Sequence, residues 1–390
     1  MKRIAIVVSH PIQHFCPQYA SIAAIEGIQL RVFFGSAMGF TRYYDKLFGK
    51  EISWGNLYLD RFDHVFLNGH QNIPADTNLD APVLNEQLDE FKPDLVIVYG
   101  YFQKLSKRAM KWARKNKVKI GYIADSKLDN SKRKAIKSFA KSIYLSYFFR
   151  SIDFFLCVGY LNRLHYKKYG VEDRKIKRMH FPIDIELYKT SWETKEKSNR
   201  ALREKLGLSP DDLVISMVGK LVGSKNHAHL VEAASLLEQK GHSVNVFIIG
   251  SGEEEELIKK KAEGLKHSKV FMTGFVAPED LPQYYAASDI YVHAAEIEAH
   301  SLAISEAIYM GVPVIISDRC GSYGEDDDVQ ENTNGYVYEW SNIEALAGYI
   351  SRFINDRRLL TEFGRKSREI SVSLQELSHR DCWKQLINEL

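Results

Sequence analysis

Ten short, largely apolar runs recur along this chain, each followed by a stretch of helical composition. In the first half they are IAIVV (4–8), LRVFF (30–34), LVIVY (95–99), KIGYIA (119–124) and FFLCVG (154–159). In the second half they are LVISMVG (213–219), VNVFIIG (244–250), VFMTG (270–274), IYVHA (290–294) and VPVIIS (312–317). Continuous β-rich runs, rather than alternating ones, belong to strands buried on both faces, and their alternation with helices indicates βα units in parallel sheets. Two such series predict an α/β protein of two doubly wound domains. The seam is expected near HFPIDIELYKTSWETKEKSNR (180–200), where a proline-containing strand gives way to a polar, charge-mixed stretch. This divides the chain into a domain over 1–182 and a second over 183–370. The remaining 371–390 carries a helical period at Leu377, Cys382, Leu386, Ile387 and Leu390, expected to pack back on the first domain.

Length agrees with this division, because 390 residues exceed what one core usually serves. A hydrophobic share of 45% and a charged share of 26% exclude a disordered or fibrous chain. Cys16, Cys157, Cys320 and Cys382 are scattered without a CxxC pair, so neither a disulfide framework nor a zinc site is indicated, and reduced thiols suit a cytoplasmic setting. The run Ile4–Val8 is too short for a secretion signal and reads as a buried strand. No run approaches the roughly 20 apolar residues of a spanning helix. The nearest, SIYLSYFFRSIDFFLCVGYL, is interrupted by Arg150 and Asp153.

Chemistry is expected beyond the carboxyl ends of the strands, where open α/β sheets bind ligands. VGKLVGSKN places Lys220 and Lys225 after the first strand of the second series. Two ammonium groups there can hold a diphosphate, with plain surface lysines as the even alternative. IIGSGEEEELIKK offers Gly250 and Gly252 for a tight turn, then glutamates suited to a first helical turn. In TGFV, Phe275 and Val276 can face a ring-shaped ligand or pack the core. The richest stretch is EIEAHSLAISEAIYMGVP (296–313). Ser301 is placed to cap a helix whose first amides, Leu302 and Ala303, form an anion site. Glu306 lies just past the first turn among apolar neighbours, where a carboxylate is costly unless hydrogen-bonded, and a vicinal diol can supply those bonds. Glu298, in the preceding loop, can reach a group beyond the anion. A diol, a diphosphate and a hydroxylated group in line describe a sugar nucleotide.

The E-x7-E spacing of Glu298 and Glu306, followed by Ala307 and GVPVI (311–315), resembles the donor-site motif of retaining glycosyltransferases of family 4. VGKLVGSKNHAHLVEAASLL, IIGSGEEEELIKK, TGFV, YYAASDIYV and ENTNGYVY follow in that family's order through the second half. The first half is similar more loosely, through SHPIQHFCPQYASIA and FPIDIELY. The resemblance implies a GT-B fold, two Rossmann-like domains with a cleft between them. It implies that Glu306 binds the ribose hydroxyls and Glu298 contacts the transferred sugar. Lys220, where the family usually has arginine, and Lys225 would neutralise the diphosphate. Ser301 and the Leu302–Ala303 amides would add to that phosphate site, Phe275 and Val276 would frame the base, and Gly250 would belong to the same donor site. Ala299 stands where the family commonly has glycine, and Ser9-His10-Pro11 replaces a glycine-rich first loop. Asp125 stands where many members carry a histidine near the reacting sugar. No metal or other cofactor is expected, since lysines and helix amides do the neutralising. EDDD (325–328) accordingly reads as a solvated acidic loop, and His10 and His14 as structural histidines, with one of them facing the cleft as the alternative.

Net charge is only +3, yet residues 100–180 hold 22 Lys and Arg against 5 Asp and Glu. That region is electropositive enough to attract phosphates or anionic lipid. Within SKLDNSKRKAIKSFAKSIYLSYFFR (126–150), Lys132, Arg133, Lys134, Lys137 and Lys141 interleave with Ile136, Phe139, Ile143, Leu145 and Phe148. The pattern suits an amphipathic helix on the inner face of an anionic membrane, or equally a solvated basic face. No nucleic-acid partner is expected, because the basic residues form no recognisable DNA- or RNA-binding motif. The expected function is transfer of a sugar, with retention, from a UDP- or GDP-linked donor to a saccharide or lipid-linked acceptor in cell-surface polysaccharide or glycoconjugate synthesis. Another GT-B enzyme, such as a sugar-nucleotide epimerase, a nucleic-acid-binding module, and a non-catalytic sugar-nucleotide-binding protein are the other readings.

Overall fold

The computed structural model describes residues 1–45, 50–52, 57–127 and 135–390. They form two compact units. One comprises Met1–Asp45, Lys50–Asp184 and Leu377–Leu390; the other comprises Ile185–Glu376.

In the first unit the strands are β1 (Lys2–Val8), β2 (Ile28–Phe34), the short β3 (Tyr43–Asp45) and β4 (Lys50–Ile52), β5 (Asp63–His70), β6 (Leu95–Tyr99), β7 (Lys119–Ile123), β8 (Phe154–Cys157) and β9 (Ile176–Arg178). Seven of them make one parallel sheet in the order β5-β2-β1-β6-β7-β8-β9. The order steps outward from β1 in both directions, so a topological switch point lies between β1 and β6. Ile4–Val8 and Leu95–Val98 are buried, as continuous apolar runs in central parallel strands should be. Within this sheet, the two strands that apolar patterning passes over are both edges: β5 has only the apolar triplet Val65–Leu67 between polar ends, and β9 carries Lys177 and Arg178. An edge strand buries less of itself, so its sequence is free to be polar. The helix His379–Glu389 lies beside β9, with Cys382, Trp383 and Leu386 buried and Lys177 Nζ 2.5 Å from Glu389 Oε1.

The second unit contains β10 (Val214–Val218), β11 (Asn245–Ile249), β12 (Lys269–Gly274), β13 (Ile290–His293), β14 (Val314–Ser317) and β15 (Gly335–Tyr338). They form a parallel sheet in the order β12-β11-β10-β13-β14-β15, with its switch point between β10 and β13. Met217, Val246, Ile290 and Ile315 from the sheet meet Leu230, Val231, Ile350 and Phe353 from helices in one core.

Among the described residues, no helix is long and apolar enough to cross a membrane. Lys132, Arg133 and Lys134 lie outside the described residues, as do the side chains of Ile136, Lys137 and Phe139. In the helix that follows (Ala135–Arg150), Leu145, Phe148 and Phe149 face the core, while Lys141, Ile143, Tyr144 and Tyr147 are exposed.

Candidate functional site

The carboxyl ends of β10 and β13 flank the switch point of the second sheet. The chain leaves β10 through Gly219 and Lys220, then makes a turn at Gly223–Lys225. The carbonyl of Ser224 accepts the N–H of Glu296 at 2.8 Å, which ties this lysine loop to the loop leaving β13. Gly250 crosses behind it: a Cβ on that residue would sit 1.8 Å from the Gly219 carbonyl oxygen, and its φ is +143°. Its N–H donates to the Gly274 carbonyl at 2.9 Å. Gly250 is thus demanded by the close passage of two strand ends.

Glu298 and Lys225, read separately from the sequence, meet as an ion pair at Glu298 Oε2. The same oxygen lies 3.3 Å from His293 Nε2. The Glu298 carbonyl accepts the Gly321 N–H at 3.0 Å, fixing the loop. Burial pulls the Lys225 pKa below its ordinary value. Lys220 is half-buried at the end of β10. Two histidines that the sequence reading passed over complete the surroundings. His293 is fully buried, and burial holds its pKa well below the usual imidazole range, with Lys225 adding to the effect. His227 is also fully buried, with no hydrogen-bond partner for either ring nitrogen among the described residues, and burial brings its pKa to about 3. The available signal was for His293, a polar residue ending a buried strand; His227, in the turn before helix Ala228–Gln239, carried none.

The helix Leu302–Tyr309 begins as expected, but Ser301 caps it differently. Its backbone is extended and its hydroxyl makes no capping bond. Its N–H instead donates to Ser322 Oγ at 2.9 Å. The first intrahelical bonds run from Ile304 and Ser305 to the Ser301 carbonyl at 3.2 and 3.4 Å, leaving the Leu302 and Ala303 amides ahead of them at the helix start. Glu306 does not await a ligand for its first bond: Tyr285, fully buried, donates its hydroxyl to Glu306 Oε2 at 2.8 Å. The tyrosine sits in YYAASDIYV, twenty-odd residues upstream, and only the fold brings it there.

The acidic run is the clearest correction. Asp327 and Asp328 are 0% exposed, so EDDD is no solvated loop; of the four, Glu325 is the exposed one. Asp328 Oδ2 accepts the Ser305 hydroxyl at 2.7 Å, and His300 Nε2 lies 3.3 Å from Asp327 Oδ1 and 3.5 Å from Asp328 Oδ2. Buried carboxylates persist because such partners offset their desolvation. Here they anchor the helix that carries Glu306.

Phe275 and Val276 follow β12 and are half-buried; Val276 packs against the apolar cluster of Val214, Phe247, Ile249 and Ala287. Asp125 belongs to the first unit, exposed just past β7. His10 and His14 lie after β1, where burial lowers each pKa to about 4; Ser9 Oγ pairs with His10 Nδ1 at 2.9 Å.

Residues 198–370 match the family of group 1 glycosyl transferases. An uncharacterized glycosyltransferase of Haemophilus influenzae is 30% identical over 197 residues, which are 48% of this chain and 54% of that protein. The poly(ribitol-phosphate) alpha-N-acetylglucosaminyltransferase of Staphylococcus aureus is 29% identical over 178 residues, 45% of this chain and 35% of that one. The matches therefore span about half, or less, of these relatives' lengths. The crystal structure of Anabaena HepE in complex with UDP superposes over 100% of both chains with a TM-score of 0.71 at 16% identity. That likeness shows the fold, which is the GT-B fold the sequence led us to expect.

Proposed function

We propose that this chain, whose residues 198–370 match the group 1 glycosyl transferases, moves a hexosyl-type sugar with retention from a nucleoside diphosphate sugar to a saccharide or lipid-linked acceptor. The supporting observation is the convergence of Lys225, Glu298, Glu306 and the start of helix Leu302–Tyr309 at one switch point. Glu306 accepts the ribose hydroxyls, held in place by Tyr285. Lys220, Lys225 and the Leu302–Ala303 amides meet the diphosphate and stabilise it as it leaves, which lowers the barrier where charge develops. Ser301, Gly250, Phe275 and Val276 shape the same donor site. The acceptor class is suggested by the poly(ribitol-phosphate) substrate named for the Staphylococcus relative, and points to cell-surface polysaccharide synthesis at the cytoplasmic side.

The test is a thermal-shift panel of UDP-, GDP- and ADP-sugars on wild type and Glu306→Ala. A ligand present at a hundredfold over its Kd should add about 2.7 kcal/mol of stability, a shift of several degrees. We expect one nucleotide class to stabilise the wild type and the variant to lose that response. A wild type indifferent to all three, or a variant that responds equally, would remove the donor-site reading.

The acceptor side is proposed to rest on an anionic bilayer. Tyr147 and Phe102 are 74% and 63% exposed, Ile143 and Tyr144 are also exposed, and Tyr101 stacks on Phe102 and meets Tyr144 at a tilt. These aromatics lie in the region of charge excess, and each nearby Lys or Arg contributes about 1 kcal/mol at an anionic surface. The protein should co-sediment with vesicles containing phosphatidylglycerol at low salt, and the Phe102→Ser/Tyr147→Ser pair should weaken this several-fold. Failure to bind such vesicles would refute the idea.

A further inference from the structure

Beneath Glu298 runs a row of polar groups that the donor-site reading leaves unused. Tyr291 and His293 stand two residues apart in β13, so both side chains leave the same face of the sheet. Tyr291 is 0% and His293 1% exposed. The Tyr291 hydroxyl lies 3.2 Å from His293 Nδ1 and 3.5 Å from the Val218 carbonyl at the end of β10. His293 Nε2 lies 3.3 Å from Glu298 Oε2, the oxygen that also takes Lys225.

The proton positions follow from what each group can do. A carboxylate only accepts, so the proton facing Glu298 is on Nε2. In a neutral ring Nδ1 then accepts, and the Tyr291 hydroxyl supplies the proton. Burial, with Lys225 and His227 close by, favours that neutral ring. Oε2 thus receives two donors, while Oε1 makes no bond among the described residues. One of the two donors has another destination. Lys225 is the group expected to turn to the diphosphate, and when it does, Glu298 keeps its orientation only through His293.

We infer that His293 is a positioning residue for the transferred sugar. It holds Glu298 by Oε2, so that Oε1 meets a sugar hydroxyl after Lys225 has moved to the phosphates. Tyr291 fixes the ring's tautomer from behind. The inference rests on the proposed contact between Glu298 and the transferred sugar. It names a residue that neither the E-x7-E spacing nor the lysines point to.

The experiment compares wild type, His293→Leu, His293→Gln and Glu298→Ala by calorimetry and turnover. The probes are UDP with UDP-glucose, GDP with GDP-mannose, and ADP with ADP-glucose. His293→Leu should leave affinity for the free nucleotide within about twofold. It should lower the added affinity from the sugar, and kcat, roughly tenfold, the loss of one hydrogen bond to a charged group. His293→Gln keeps an N–H donor and should recover most of both. If His293→Leu changes neither quantity while Glu298→Ala abolishes them, His293 has no positioning role and the donor reading stands. If Glu298→Ala is also silent, or no pair binds, the donor reading falls and this inference with it. A second measurement does not depend on the variants folding. In ¹⁵N-histidine spectra of wild type, one buried ring should be a neutral Nε2–H tautomer at pH 7, shifted by the nucleotide as Lys225 leaves and shifted further by the nucleotide sugar. An Nδ1–H tautomer or an imidazolium at that position overturns the assignment.

Discussion

Replacing Lys225 with Met is expected to lower the transfer rate roughly 100- to 1,000-fold, the scale seen when one preorganised group stabilising developing charge is removed. Two effects combine. The leaving diphosphate loses a cation, and Glu298, whose side chain is 18% exposed, loses its counter-ion. Held then only by the neutral His293 ring, a mostly buried carboxylate without its counter-ion is costly and more readily takes up a proton. Lys225→Arg should restore only part of the rate, because a planar fork does not occupy the place of a compact ammonium group. The measurement is kcat and KM for the donor identified by thermal shift, repeated in EDTA. The wild-type rate should survive the chelator if lysines and helix amides carry the diphosphate's charge. A Lys225→Met enzyme within fivefold of wild type would remove the residue from the mechanism.

Gly250→Ala should be the most destabilising single methyl in the second unit, at about 3–5 kcal/mol. The added carbon would sit 1.8 Å from the Gly219 carbonyl oxygen, and at φ +143° an L side chain is strained even without a neighbour. The obstacle is backbone, so no rotamer change relieves it. The ends of β10 and β11 would have to part, stretching the bonds from Gly219 N–H to Ile249 and from Gly250 N–H to Gly274, both 2.9 Å. A loss of this size corresponds to a fall in Tm on the order of 10 °C. Gly223→Ala is the control: nothing lies nearer its new Cβ than Glu254 Oε1 at 3.7 Å, and it should stay within about 0.5 kcal/mol. Equal denaturation midpoints for the two variants would show that the crossing is not the constraint described here. Because Lys220 and Lys225 hang from the same crossing, the unfolded fraction and the lost activity should rise together.

The sequence carried different parts of this protein with different fidelity. Central strands were legible because burial on both faces forces an uninterrupted apolar run: LVIVY (95–99) coincides with β6, and the other nine runs overlap strands within a few residues. Edge strands β5 and β9 escaped, since solvent on one side permits polar residues, while β15 is buried but only four residues long. At the site, spacing along one helix and its preceding loop revealed Glu298 and Glu306. It said nothing about what those carboxylates touch. Charge run alone misled at EDDD, where Asp327 and Asp328 are buried against His300 and Ser305.

What the sequence determined by itself is the local periodicity: which segments become strands and helices, that they alternate into parallel sheets, and that two glutamates bracket a helix start. These follow from interactions within a few residues. Tertiary structure alone decided the partners. Tyr285 on Glu306, His293 and Lys225 on Glu298, and Gly219 against Gly250 all join residues from different elements. A buried polar group must find a partner somewhere, and its residue type announces that need. Where the partner stands is set by the sheet order β12-β11-β10-β13-β14-β15, which no local pattern records.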